Sequence, residues 1–169
     1  MKKERENYNY IMDKIIAGDL EKLEKIARSH DNFPDGKDNF IGRNWIINAI
    51  DCGSKKVIEW MLSQQVNLNF IDEEGYGVIF SAIERNKEDK YEILQLLLDY
   101  GAPTHLIGLN GWTALHMAAA RNDVKALKIL VDRGADLSVK TKIDYYATPL
   151  EEARYLGCTE AVKYLETVS

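Results

Sequence analysis

Apolar residues return at helical spacing in pairs of short segments separated by polar breaks. The clearest pair begins at Gly111-Trp112-Thr113-Ala114-Leu115-His116-Met117-Ala118-Ala119. After the break Arg121-Asn122-Asp123 it continues as Val124-Lys125-Ala126-Leu127-Lys128-Ile129-Leu130-Val131, then Gly134-Ala135-Asp136-Leu137. Each half reads as one amphipathic helix. Thr113 suits the N-cap of the first, where its hydroxyl can serve an orphan amide. Gly134 suits the left-handed position that ends the second.

The same grammar recurs along the chain. A small residue in the first helix falls at Ala49, Ala82, Ala118 and Ala153, at steps of 33, 36 and 35. The inter-helix break falls at Gly18, Gly53, Asn86, Asn122 and Gly157. The second-helix trios Trp60-Met61-Leu62, Leu96-Leu97-Leu98 and Ile129-Leu130-Val131 keep the same phase. The lengths above 33 fall in connections. Three extra residues lie around Lys87–Lys90, and two each at 142–147 and between Ala27 and Ala49. A period of this size marks a stack of supersecondary units. The expectation is one domain over 1–169, with an N-terminal cap at about 7–31, repeats at about 39–69, 72–104 and 108–140, and a C-terminal cap at about 144–169. It comprises about ten helices over residues 9–168, with fingers near 33–43, 67–77, 103–112 and 137–147. The caps are legible too: Lys22 and Lys25 take the places of Val57 and Trp60, while Leu23 and Ile26 keep the inward stripe.

Residues 111–137 resemble a near-consensus ankyrin repeat. Thr148-Pro149-Leu150 followed by Ala153 is similar to that family's Thr-Pro-Leu-His-x-Ala motif, with Glu151 in place of His. Gly77–Ala82 and Asn44–Ala49 are degenerate copies in phase, and the resemblance runs from about Asn9 to Val168. It implies an all-α solenoid of antiparallel helix pairs with β-turn or hairpin fingers. It also implies that His116 bonds backbone near its turn, and that a protein partner meets the finger tips and the exposed side of the first helices.

Composition narrows the chemistry. Of 169 residues, 46% are hydrophobic and 29% charged, with a formal net charge of -5. That balance excludes global disorder. The basic cluster Lys2, Lys3, Arg5 is interrupted by Glu4 and Glu6, which argues against nucleic acid and for a solvated tip. No apolar run suits a signal peptide or a membrane span. Cys52 and Cys158 lie far apart, so no disulfide framework is suggested and a cytoplasmic location is the default. His30 and His105 have no Cys or carboxylate at ligand spacing. No catalytic residue, metal site or cofactor is expected.

The candidate chemistry is therefore a binding surface. Transferred position by position, the exposed residues are Phe40 and Arg43, then Glu73, Glu74, Tyr76, Glu84 and Arg85, then Leu109, Asn110, Trp112 and Arg121, then Tyr145, Tyr146 and Tyr155. Aromatic and Arg anchors inside a polar rim are the composition of protein interfaces. Trp112 and Tyr76 each follow a finger glycine. The expectation is that both rings stand free of the core, with Arg85 and Arg121 behind them. The function expected is binding of another protein by a chain that is monomeric when free. A finer version is an inhibitor or immunity-type protein that masks a toxin or enzyme. The rivals are an enzyme with an unrecognised site and a scaffold module cut from a larger protein; ends at Met1 and Ser169 favour a complete protein over the latter.

Overall fold

Short amphipathic segments of this kind are marginal as isolated helices, and each is stabilised by the neighbours it packs against. A computed structural model describes residues 2–143 and 146–169. Among these, ten α-helices follow one another: α1 (Lys2–Ala17), α2 (Leu20–Ala27), α3 (Trp45–Cys52), α4 (Lys55–Ser63), α5 (Val78–Glu84), α6 (Lys90–Asp99), α7 (Ala114–Ala120), α8 (Val124–Asp132), α9 (Pro149–Tyr155) and α10 (Thr159–Val168). First helices stack on one another in the order α1, α3, α5, α7, α9, and α4, α6, α8 and α10 form a second layer behind them. The core runs unbroken from Ile11 and Ile15 through Ile47, Met61, Ile83 and Leu97 to Leu130 and Leu165. No strand forms among the described residues; one isolated bridge joins Lys37 and Asn44. Helix α1 starts earlier than the sequence pattern requires, and its leading residues Lys2–Glu6 are exposed.

The fingers are tight turns closed by backbone bonds. Asp38 N donates to Arg43 O, Asp72 N to Tyr76 O, Gly108 N to Trp112 O and Thr141 N to Ala147 O. In the first two, an aspartate gathers the amides at the tip. Buried Asp38 accepts from Phe40, Gly42 and Arg43, and Asp72 accepts from Glu74 and Tyr76.

Helix α7 carries the motif histidine, which is wholly buried. Thr113 N donates to His116 Nδ1 at 3.1 Å, so Nδ1 is the acceptor and Nε2 carries the proton. Nε2 then donates to Ala147 O at 3.0 Å, tying α7 to the next finger. Glu151 explains its own substitution. Its carboxylate accepts from Thr148 N at 2.7 Å and caps α9 as the histidine caps α7. Glu151, an acceptor only, lacks the donor with which His116 reaches the following finger. Where Gly77 replaces the motif Thr and Phe80 the motif His, α5 has no side-chain cap; α3, led by Asn44, has none either.

Burial pushes the His116 pKa below its usual value, with the bond to Ala147 opposing only in part. The unfolded chain therefore takes up this proton first. Stability from the neutral ring is intact above about pH 6.5 and falls as the pH drops from there toward the folded pKa, by at most about 1.4 kcal/mol per pH unit. Thermal melts of wild type and His116→Asn are expected to differ most above pH 7 and to converge toward pH 5. A gap independent of pH would contradict a neutral buried ring.

Candidate functional site

The second finger leans on the third, and the third on the fourth, through glycines. Gly75 has φ +87°, and a Cβ there would lie 2.6 Å from the backbone N of Leu109. Gly111 has φ +82°, and a Cβ there would lie 2.5 Å from the backbone N of Lys142. That Lys142 amide donates to Asn110 O at 2.8 Å. With backbones this close, finger side chains are directed sideways over α5 and α7. The result is a groove of about 400 Å³ whose lining includes Glu74, Tyr76, Glu84, Leu109, Trp112 and Arg121. Asn110 is at its rim, held at φ 60° by the turn.

Phe80, Met117 and Ala120 complete the groove. Phe80 and Met117 are absent from the sequence-derived surface. The signal that identifies them is helical spacing: Phe80 lies four residues before Glu84, and Met117 lies three before Ala120 and four before Arg121.

The rings are not free of the core. Tyr76 is half-buried and meets Phe80 edge-on, with centroids 6.4 Å apart. Trp112 is half-buried with its ring 6.3 Å from that of His116. Each finger closes onto the N-terminus of its own first helix, which lays the ring against the residue at the motif's histidine position. Leu109, at 64% exposure, is the apolar residue of the groove that projects most. Glu84 pairs with Arg121 across the two helices. Burial and the neighbouring Glu84 carboxylate raise the Tyr76 pKa, so the phenol stays protonated.

Arg85 corrects the sequence-derived surface outright. It does not stand behind the rings: its side chain is fully buried. Helix α5 ends at Glu84, and Arg85 adopts φ -53° and ψ 121°, which turns it toward the end of α3. There it donates to Ile50 O and Gly53 O, carbonyls left without helical partners. Asp89 holds its other edge bidentately at 2.7 Å.

The remaining candidates lie apart from the groove. Phe40 packs on Tyr8 and is 43% exposed. Arg43 is half-buried and pairs with Asp51 at 2.6 Å. Glu73 is solvent-facing, 3.7 Å from Lys37. Arg43, Glu73 and Glu74 line a smaller cavity of about 90 Å³ on the other side of the second finger tip. Tyr146 and Tyr155 are exposed near the C-terminal end, and Tyr145 lies outside the described residues. Both cysteines are free thiols, and no group of three metal-ligating side chains gathers among the described residues. No helix is long and apolar enough to cross a membrane.

The family described as ankyrin repeats, in three copies, matches residues 85–167. A putative ankyrin repeat protein of Rickettsia felis is 24% identical over 134 residues, covering 79% of this chain and 43% of that protein. The nuclear factor NF-kappa-B p105 subunit of Gallus gallus is 32% identical over 95 residues, 54% of this chain and 9% of its own. Protein phosphatase 1 regulatory subunit 12A of Mus musculus is 31% identical over 77 residues, 46% of this chain and 8% of its own. The chain thus spans less than half the length of each of these relatives. Ankyrin repeats generally mediate protein–protein interaction. Layered helix pairs, glycine-closed fingers, the Thr113–His116 cap and the matched repeats together make this chain an ankyrin-repeat protein.

Proposed function

We propose that the chain binds another protein through the groove between its second and third fingers and the adjoining side of α5 and α7. The observation that carries this is the convergence of Tyr76, Trp112 and the projecting Leu109 over an apolar floor, rimmed by Glu74, Asn110 and the Glu84–Arg121 pair. An aromatic centre inside a polar ring is how interface hot spots are built. Binding rather than catalysis is the role, because the groove's one histidine neighbour is wholly buried and engaged by backbone at both nitrogens. The finer reading is that occupancy masks a partner enzyme or toxin in the cytoplasm, the chain acting as a monomer. The name of the mouse relative, a phosphatase regulatory subunit, supports such a role.

A pull-down from native extract followed by calorimetric titration tests the reading. The double variant Trp112→Ala with Tyr76→Ala is expected to weaken binding at least tenfold, since a truncated hot-spot aromatic costs about 2 kcal/mol or more. Both rings are half-buried, so this variant also loses some melting temperature. Leu109→Glu is the companion: it is exposed, keeps the wild-type melt and still weakens binding. Unchanged affinity in both variants would move the interface elsewhere on the solenoid.

A further inference from the structure

The groove's charges constrain what fills it. Glu84 and Arg121 neutralise each other. Glu74 has no ion-pair partner among the described residues, and it lines both the 400 Å³ groove and the 90 Å³ cavity beyond the finger tip. Asp72 and Glu73 precede it in the chain. Asp72 is committed to the amides of Glu74 and Tyr76, whereas the Glu73 side chain is 95% exposed and only 3.7 Å from Lys37. Lys37 and Arg43 also line the smaller cavity, Lys37 beside Glu73 and Arg43 paired with Asp51, so the unpaired charge on the crest beside the apolar trough is that of Glu74. The larger space lies within the range of about 300–1,000 Å³ that seats a small ligand or a few side chains. Glu74 borders both cavities, which favours a linear occupant that crosses the finger.

Resting on the reading of this groove as the partner surface, we infer that its occupant is an extended, basic–apolar protein segment. One bulky apolar side chain fills the trough against Leu109, Trp112 and Met117. A Lys or Arg within two or three residues of it lies over the crest and pairs with Glu74 and Glu73. Arg is favoured over Lys because its planar fork can engage a carboxylate in two bonds and stack on an aromatic face. An acidic segment would set like charges against the crest, which selects against such partners.

A random twelve-residue peptide library displayed on phage, selected on the full-length protein, tests the inference and needs no identified partner. Parallel selections use Leu109→Glu and the Trp112→Ala, Tyr76→Ala double variant. The expected result is enrichment, lost on both variants, of peptides with Arg or Lys within three positions of Leu, Met, Phe or Trp. The most enriched peptide, synthesised and titrated, should bind Glu74→Lys at least about fivefold more weakly than wild type, with an unchanged melt. Its affinity should also fall with added salt. Enriched peptides that are acidic or uncharged, yet still lost on the groove variants, would overturn the basic segment and leave the groove as a binding surface. Peptides indifferent to the groove variants, or no enrichment at all, would overturn both.

Discussion

Arg85→Ala is expected to melt on the order of 10 °C below wild type while leaving partner affinity nearly unchanged. The guanidinium is fully buried, fills the last-turn carbonyls of α3 and is clamped by Asp89. Removing one partner of a buried, hydrogen-bonded ion pair costs about 3–5 kcal/mol. In a domain of this size each kcal/mol moves the melt by about 2–4 °C. The Arg85 hydrogen bond holds the Asp89 pKa down against the desolvation that raises it, so the carboxylate gains from the same contact. Lys87 donates to Cys52 O and Gly53 O and can cover only part of the loss. Arg85→Lys should fall in between, because a lysine cannot span the two carbonyls and the carboxylate together. Were Arg85 an interface residue, the outcomes would be reversed: an intact melt and a lost affinity.

Arg85 also marks where repeat register stops being informative. Arg85 and Arg121 stand at the same phase, each three residues after the small residue of its first helix. Register alone makes them equivalent, and Arg121 does reach the groove. The difference lies in the loop that follows. The extra residues at 87–90 carry Lys87 and Asp89, and these give the chain a reason to leave the helix at Arg85. Their position was readable from the spacing, but an insertion's length does not say which neighbouring carbonyls it will serve.

The fold was legible for the opposite reason. Thr113, Gly134 and the alanines at fixed steps act within a few residues of themselves, so local rules suffice. Glu151 was legible as a departure from the motif, and the Thr-x-x-Glu spacing from Thr148 carries the capping box that the structure contains. The half-burial of Trp112 was not, because it depends on a finger folding back onto its own helix.

Leu97→Ala is the second large effect, with an expected cost toward the upper end of about 2–5 kcal/mol. The apolar trios of the second helices have an inner and an outer member. Met61, Leu97 and Leu130 occupy the middle place and are each 0% exposed. Trp60 and Leu96, in the first place, are only half-buried, and Ile129 at the same place retains 9% exposure. The middle residue thus lies where α4, α6 and α8 pack in succession, and its loss leaves a cavity that neighbours on both sides would have to collapse to fill. The first residue sits at the margin of that layer, where water can reach part of the vacated space. Ile129→Ala should therefore fall toward the lower end of the same range, and Leu109→Ala, at an exposed finger tip, within about 0.5 kcal/mol of wild type. Urea unfolding of the three variants with a shared slope gives the order directly. Leu97→Ala and Ile129→Ala with equal midpoints would mean that the trio has no inner member. A Leu97→Ala midpoint matching wild type would remove α6 from the central layer altogether.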